Sequence, residues 1–304
     1  MIINDSSLDL VFRGFQAVYT DAFADAPTFA GAPAHADKIA MKVNSSARSE
    51  TYGWLGQFPQ LREWVGPRHV HNLKAHKFTI LNKTFENTVS VSRNDIDDDN
   101  LGVFAPVFAQ MGWEARQHPE RLVFGLLADG FASECYDGQA FFDTDHPVEG
   151  VDGTIRSVSN MQAGTDEPWY LLDTSRKIKP IVWQERQKYE FQSIVATSDS
   201  HVFMTDDYLY GVRARVNAGF GLWQLAYASR APLNAENYAL ARAAMQSFRG
   251  DGGRVLGVQP TTLIVPPSLE SPALKLLNSE NAGGGETNEW KGTAEPIVTP
   301  FVLI

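Results

Sequence analysis

A single cysteine, Cys135, stands in 304 residues, so no disulfide can form within one chain, a pattern compatible with a reducing compartment. No run of apolar residues approaches the length that spans a bilayer. The opening MIINDSSLDLVF carries Asp5 and Asp9 and has no basic region before a long apolar core, so it does not read as a signal peptide. Basic residues are in deficit, 26 against 36 acidic, which gives a formal net charge of −10. Such a chain has no electrostatic reason to coat DNA or an anionic membrane. These absences predict a soluble protein made in a cytoplasm, with no membrane partner. The phosphate-binding patterns G-x-x-x-x-G-K-[ST] and G-x-G-x-x-G are missing, as are H-E-x-x-H and G-x-S-x-G. Gly283-Gly284-Gly285 is followed by Glu286 rather than lysine and reads as a surface loop.

What is there is an unusual order of elements. Leu8, Val11, Phe12, Phe15, Val18 and Tyr19 recur at the spacing of one helical face, with Ser6 or Ser7 as cap. An Ala- and Pro-rich leash follows at 22–37. A lone amphipathic helix is marginal in water, so this face must dock on the chain's own body or on another copy. Residues 52–71 crowd Tyr52, Trp54, Phe58, Leu61 and Trp64 among glycines and prolines, and the alternations around Phe78–Ile80 and Val89–Val91 read as strands. Each buried Trp removes roughly 150–250 Å² from water, on the order of 4–6 kcal/mol at most. An extended arm that carries two of them points to burial on a partner.

Residues 95–133 predict a long helix of nearly forty residues: Asp97, Asp98 and Asp99 at its positive end, Pro106 as an internal kink, and Pro119 as a restart. The middle, 137–230, reads as strand and turn, with Phe203 among the strand residues. A helix capped by Asn234 runs from about Ala235 to Phe248, Thr261–Val265 is a strand, Ser268 caps a further helix through Leu277, and Ile297–Ile304 is strand-like. The class is α+β.

Candidate chemistry is sparse. Cys135 beside Glu134 reads as a buried, unreactive thiol. His69, His71 and His76, and separately Asp143, Asp145 and His146, contain metal-binding residue types but lack the spacing of a known site, and packing or turn roles explain them better. Asp95, Asp97 and Asp99 sit at the first positions of a calcium loop, but Asn100 and Pro106 replace the Gly and Glu that the loop needs. No catalytic residue, metal or cofactor is expected.

The order of elements resembles the Hong-Kong-97-type phage capsid fold. Several stretches are similar to the major head subunit of Mu-like phages and prophages: Asp97–Leu101, HPERLVFGLLADGF at 118–131, GQAFFDTDHP at 138–147, PIVWQERQKYEF at 180–191, YGVRARVNAGFGLWQLA at 210–226 and PTTLIVPPSLESPALKLLNSE at 260–280. The resemblance implies an N-terminal arm (1–48), an extended β-hairpin loop (49–95), a long bent spine helix with a peripheral-domain sheet (96–232) and an axial domain (233–304), at approximate boundaries and with strands of one body domain allowed to be separated in sequence. It implies a non-enzymatic shell subunit that forms hexamers and pentamers around double-stranded DNA. Scaffolding and portal proteins would be its partners during assembly in the host cytoplasm, and a decoration protein would be a further one in the virion. Leu8, Val11, Phe12, Phe15 and Tyr19, with Tyr52, Trp54, Phe58, Leu61 and Trp64, would then contact neighbouring subunits. The loop at Asn281–Gly285 would lie near the capsomer axis. Two other readings stand beside this one: an encapsulin-like nanocompartment, and a metal-dependent hydrolase using His69, His71, Asp143, Asp145 and His146.

Overall fold

The computed structural model describes residues 5–25, 35–56, 78–98, 101–282 and 285–303. Helix α1 (Asp5–Asp25) comes first, and α2 (His35–Ile39) leads directly into β1 (Ala40–Asn44). Strands β2 (Ser49–Thr51) and β3 (Thr79–Leu81) pair antiparallel, with Thr51 opposite Thr79, and so form the base of a hairpin. Strand β4 (Lys83–Ser92) runs into α3 (Arg93–Asp97), a 3-10 turn at Leu101–Val103, and α4 (Ala105–Asp129). Then come β5 (His146–Glu149), β6 (Ile155–Val158), β7 (Met161–Gln162), β8 (Trp169–Leu172) and β9 (Ile181–Ile194). Helix α5 (Ser200–Thr205) separates β9 from β10 (Asp207–Phe220), and β11 (Ala226–Ser229) and α6 (Ala235–Ser247) follow. The chain closes with β12 (Arg249–Gly250), β13 (Arg254–Val255), β14 (Thr262–Val265), α7 (Glu270–Asn278) and β15 (Glu295–Val298).

Two sheets organise these elements. One has the order β1-β9-β10-β4, with β1 parallel to β9 and the other pairs antiparallel. Its central strands β9 and β10 are fourteen residues each, about 48 Å at 3.4 Å per residue. Period-two alternation explains how one face is covered: Tyr208, Tyr210, Val212, Ala214 and Val216 are buried on β10, while Arg213 between them is exposed. The other sheet has the order β15-β14-β8-β11-β7. Strands β8, β11 and β14 are buried at every residue, which is the pattern of strands covered on both faces. Helices α6 and α7 pack against this sheet, and Phe131 and Phe142 pack on Tyr170.

The expected divisions at 48/49, 95/96 and 232/233 are all crossed by strand pairing. Strand β1 and strand β4 join β9 and β10 in one sheet, and β14 and β15 join β7, β8 and β11 in the other.

The expected long helix is corrected at both prolines. Pro106 lies in the first turn of α4, where a missing N–H costs nothing, so it starts the helix instead of kinking it. Pro119 lies inside α4, where it removes one intrahelical hydrogen bond. The aspartates do not open that helix either. Ser92 caps α3 by accepting the Asn94 N–H, and Asp98 closes it. Phe203 belongs to α5 and not to a strand. Asp199 caps α5, and Asp206 ends it in the left-handed region at φ 55°. Asn234 caps α6 as the sequence predicts, accepting from the Asn237 N–H. Ser268 does not cap α7; Leu269 precedes it without a side-chain cap. The final strand stops at Val298 and gives way to a 3-10 turn.

Candidate inter-subunit surfaces

The helical face expected to seek a neighbour is covered by the chain itself. Leu8, Val11, Phe15 and Tyr19 are each 2–5% exposed, and Phe12 is half-buried. Phe15 stacks on Phe108 of α4 at 4.2 Å and meets Tyr210 edge-on at 5.2 Å. Tyr19 and Phe12 stack on Phe191 at 5.2 and 5.6 Å. Three aromatic rings from three different elements thus close over α1, and aromatic pairing adds to the area that each buries. The helices approach most closely at Gly112 of α4. A Cβ there would stand 2.3 Å from the Tyr19 carbonyl oxygen and 3.0 Å from the Phe23 nitrogen. Of the two docking places that the sequence leaves open for this face, the single chain supplies one: its own body.

The second aromatic group divides. Tyr52 is buried and donates to Gln184 Oε1 at 2.8 Å. Gln184 Nε2 in turn donates to Asn82 Oδ1 at 2.8 Å, so the hairpin base is tied to β9 by a closed polar chain. Burial pushes the Tyr52 phenol up to about 12. Trp54 is half-buried against the main core and meets Tyr52 edge-on at 6.3 Å. Phe58, Leu61 and Trp64 lie outside the described residues, as do His69, His71 and His76.

Asp143, Asp145 and His146 do not converge. Asp143 accepts the Thr144 N–H, Asp145 accepts from the Ser157 hydroxyl, and His146 turns inward to Asp137. Cys135 is buried, and burial together with the Asp137 carboxylate pushes its thiol up; the carboxylate it meets is Asp137, 3.0 Å away, and not Glu134. His118 on α4 bonds Tyr189 Oη at 2.6 Å, and burial followed by the nearby Arg121 charge pulls it down to about 4.

Among the described residues, large exposed apolar groups lie elsewhere. Phe203 is 81% and Met204 79% exposed on α5, and Leu10 is exposed on α1. Val202 of α5 is buried with Leu8 and Val11, so these exposed side chains share one end of the molecule. Val151 and Ile155 are exposed at the β5–β6 turn. Sequence reasoning missed α5 because Val202-Phe203 looks like strand; the Asp199 cap was the available signal. No helix among the described residues is long and apolar enough to cross a membrane.

A helix buried between α4 and a long four-stranded sheet, beside a second, five-stranded sheet covered by helices, is the fold of a phage head-shell subunit. Among solved structures, a chain of the bacteriophage JBD30 procapsid covers 98% of this chain with 100% of its own length, at 44% identity and a TM-score of 0.85. A chain of the JBD30 capsid covers 100% of both at 30% identity and a TM-score of 0.77. The Mu-like prophage major head subunit gpT family matches residues 8–302. The major capsid protein of Escherichia phage Mu is 44% identical over 311 aligned positions, 99% of this chain and 100% of its own length. The Mu-like prophage FluMu major head subunit of Haemophilus influenzae is 44% identical over 92% of each chain. The chain belongs to the Mu-like major head subunit family and has the Hong-Kong-97-type capsid fold. Its role is structural, not enzymatic.

Proposed function

We propose that copies of this chain close through hexamers and pentamers into an icosahedral shell around double-stranded DNA, with scaffolding and portal proteins as partners during assembly in the host cytoplasm. The observation that carries the reading is 44% identity to the phage Mu major capsid protein along essentially the whole chain. The charge supports it: an acidic wall at −10 does not grip packaged DNA. A solved relative is the capsid of JBD30 decorated with minor capsid protein trimers; we extend a decoration protein to this chain on that ground.

Two contact surfaces are part of this reading, one from the resemblance and one from apolar groups exposed among the described residues. Phe58, Leu61 and Trp64, in the segment between β2 and β3, bury on an adjacent subunit. Phe203, Met204 and Leu10 form a second contact at the far end of the long sheet. The Asn281–Gly285 loop faces the capsomer axis, and the axial body carries α6 and α7. Tyr52 and the inner face of α1 serve the fold of the subunit that carries them. Replacing residues 57–77 with a Gly-Ser linker leaves the β2–β3 pairs intact and keeps the unassembled chain folded, while sedimentation shows no closed shells. Normal shells from that variant would overturn the arm assignment. A nanocompartment would yield purified particles free of DNA.

A further inference from the structure

Cys135, Asp137 and His146 bring one sulfur, one carboxylate and one imidazole donor within 4.8 Å of one another. They come from the turn after α4 and from the first residue of β5. Cys135 Sγ lies 3.0 Å from Asp137 Oδ1, and His146 Nδ1 lies 2.8 Å from Asp137 Oδ2. Neighbours outside the cluster fix the ring. Asn160 Nδ2 donates to the Phe141 carbonyl at 2.8 Å, and its Oδ1 accepts the Asp143 N–H at 2.9 Å, so the amide cannot turn over. His146 Nε2 stands 3.2 Å from that same Oδ1 and therefore carries hydrogen. Nδ1 is thereby aimed at the Asp137 carboxylate. Trp223 stacks on the ring at 4.0 Å and holds its plane.

A cavity of about 240 Å³ reaches the cluster at Asp137. Asp137 is in its wall with Tyr136, Glu149, Gln224 and Asp251, and among the described residues no lysine, arginine or histidine lines it. Gln224 is only 5% exposed, yet its Oε1 has no hydrogen-bond partner. Acidic side chains and a buried unpartnered acceptor in one cavity wall with Asp137 suit a bound cation and its water.

We propose that Cys135, Asp137 and His146 form a Zn²⁺ site, with a water from the cavity as fourth ligand. The donor set is that of zinc, and the Asn160 contact to Nε2 is the outer bond that orients a metal-binding imidazole through its other nitrogen. The ion enters as Zn²⁺ and displaces the thiol proton and any proton at Nδ1, without redox change. Its effect is to clamp the turn that follows the spine helix onto β5.

Co²⁺ added to the purified, unassembled full chain tests this. One ion per chain should bind with a sulfur-to-cobalt charge-transfer band, and Zn²⁺ should displace it. Cys135 is the only cysteine, so the band reports this site alone. Cys135→Ser should abolish the band and weaken binding by about tenfold or more. As a second measurement on wild-type protein, Zn²⁺ should protect Cys135 from alkylation and raise the melting temperature. Absence of the band overturns the proposal, as does cobalt bound without it, which histidines of the 69–76 segment could produce. So does alkylation that Zn²⁺ leaves unchanged.

Discussion

Gly112→Val should loosen α1 from the spine helix while leaving both sheets in place. The new Cβ would stand 2.3 Å from the Tyr19 carbonyl oxygen, where an ordinary contact begins near 3.4 Å. The obstacle is backbone, so α1 must retreat by about 1 Å along its most buried stretch, where Phe15 and Tyr19 sit. Overpacking of this kind costs typically about 1–3 kcal/mol. Full loss of the docked face would forfeit on the order of 6–12 kcal/mol from Leu8, Val11, Phe15 and Tyr19, so a partial shift is the cheaper response. Gly14 and Gly125 supply internal controls, because a Cβ at either meets nothing within 4 Å. Alanine there should stabilise by roughly 0.5–1 kcal/mol through helix propensity. Urea unfolding of the unassembled chain, with hydrogen exchange resolved over residues 8–23, reads both effects. An unchanged urea midpoint and unchanged exchange in Gly112→Val would refute the docked helix.

Other consequences are equally direct. Tyr52→Phe removes the donor to Gln184 Oε1 inside the hairpin base and should destabilise by about 1–3 kcal/mol in urea unfolding. Asn234→Ala should cost about 1 kcal/mol by uncapping α6, measured in the same way. His118 is held down to about 4 in the folded chain against an ordinary 6.5. A depressed pKa contributes stability that is present above pH 6.5 and lost as pH falls toward 4. The ring is partly solvent-exposed, so screening reduces the effect to on the order of 1–2 kcal/mol. His118→Gln should flatten the decline in urea midpoint between pH 7 and pH 4.5, and an equal slope in both proteins would contradict the assignment.

Sequence patterns expose what is local and hide what depends on distant closure. Helix α6 was legible because Asn234 and the Tyr238–Ala241–Met245 face are neighbours in sequence. The apolar face of α1 was legible too, but its partner was not: Phe108, Phe191 and Tyr210 come from three distant segments. Helix α4 was placed correctly in its body and wrongly at its start, because three consecutive aspartates looked like a cap while Ser92 and Pro106 set the real boundaries. The Cys135–Asp137–His146 cluster was invisible because it needs the tight turn through Gly138, at φ 87°, and the bridge of Glu134 to Ala140. The class of protein was carried by long stretches of similarity, which composition and periodicity alone do not contain.

The most direct measurement is electron microscopy of particles from cells that express this chain together with the other head proteins of its phage. Closed shells of fivefold and sixfold rings, with this chain as their main component, are the expected result. A folded chain that stays monomeric under those conditions would contradict the account.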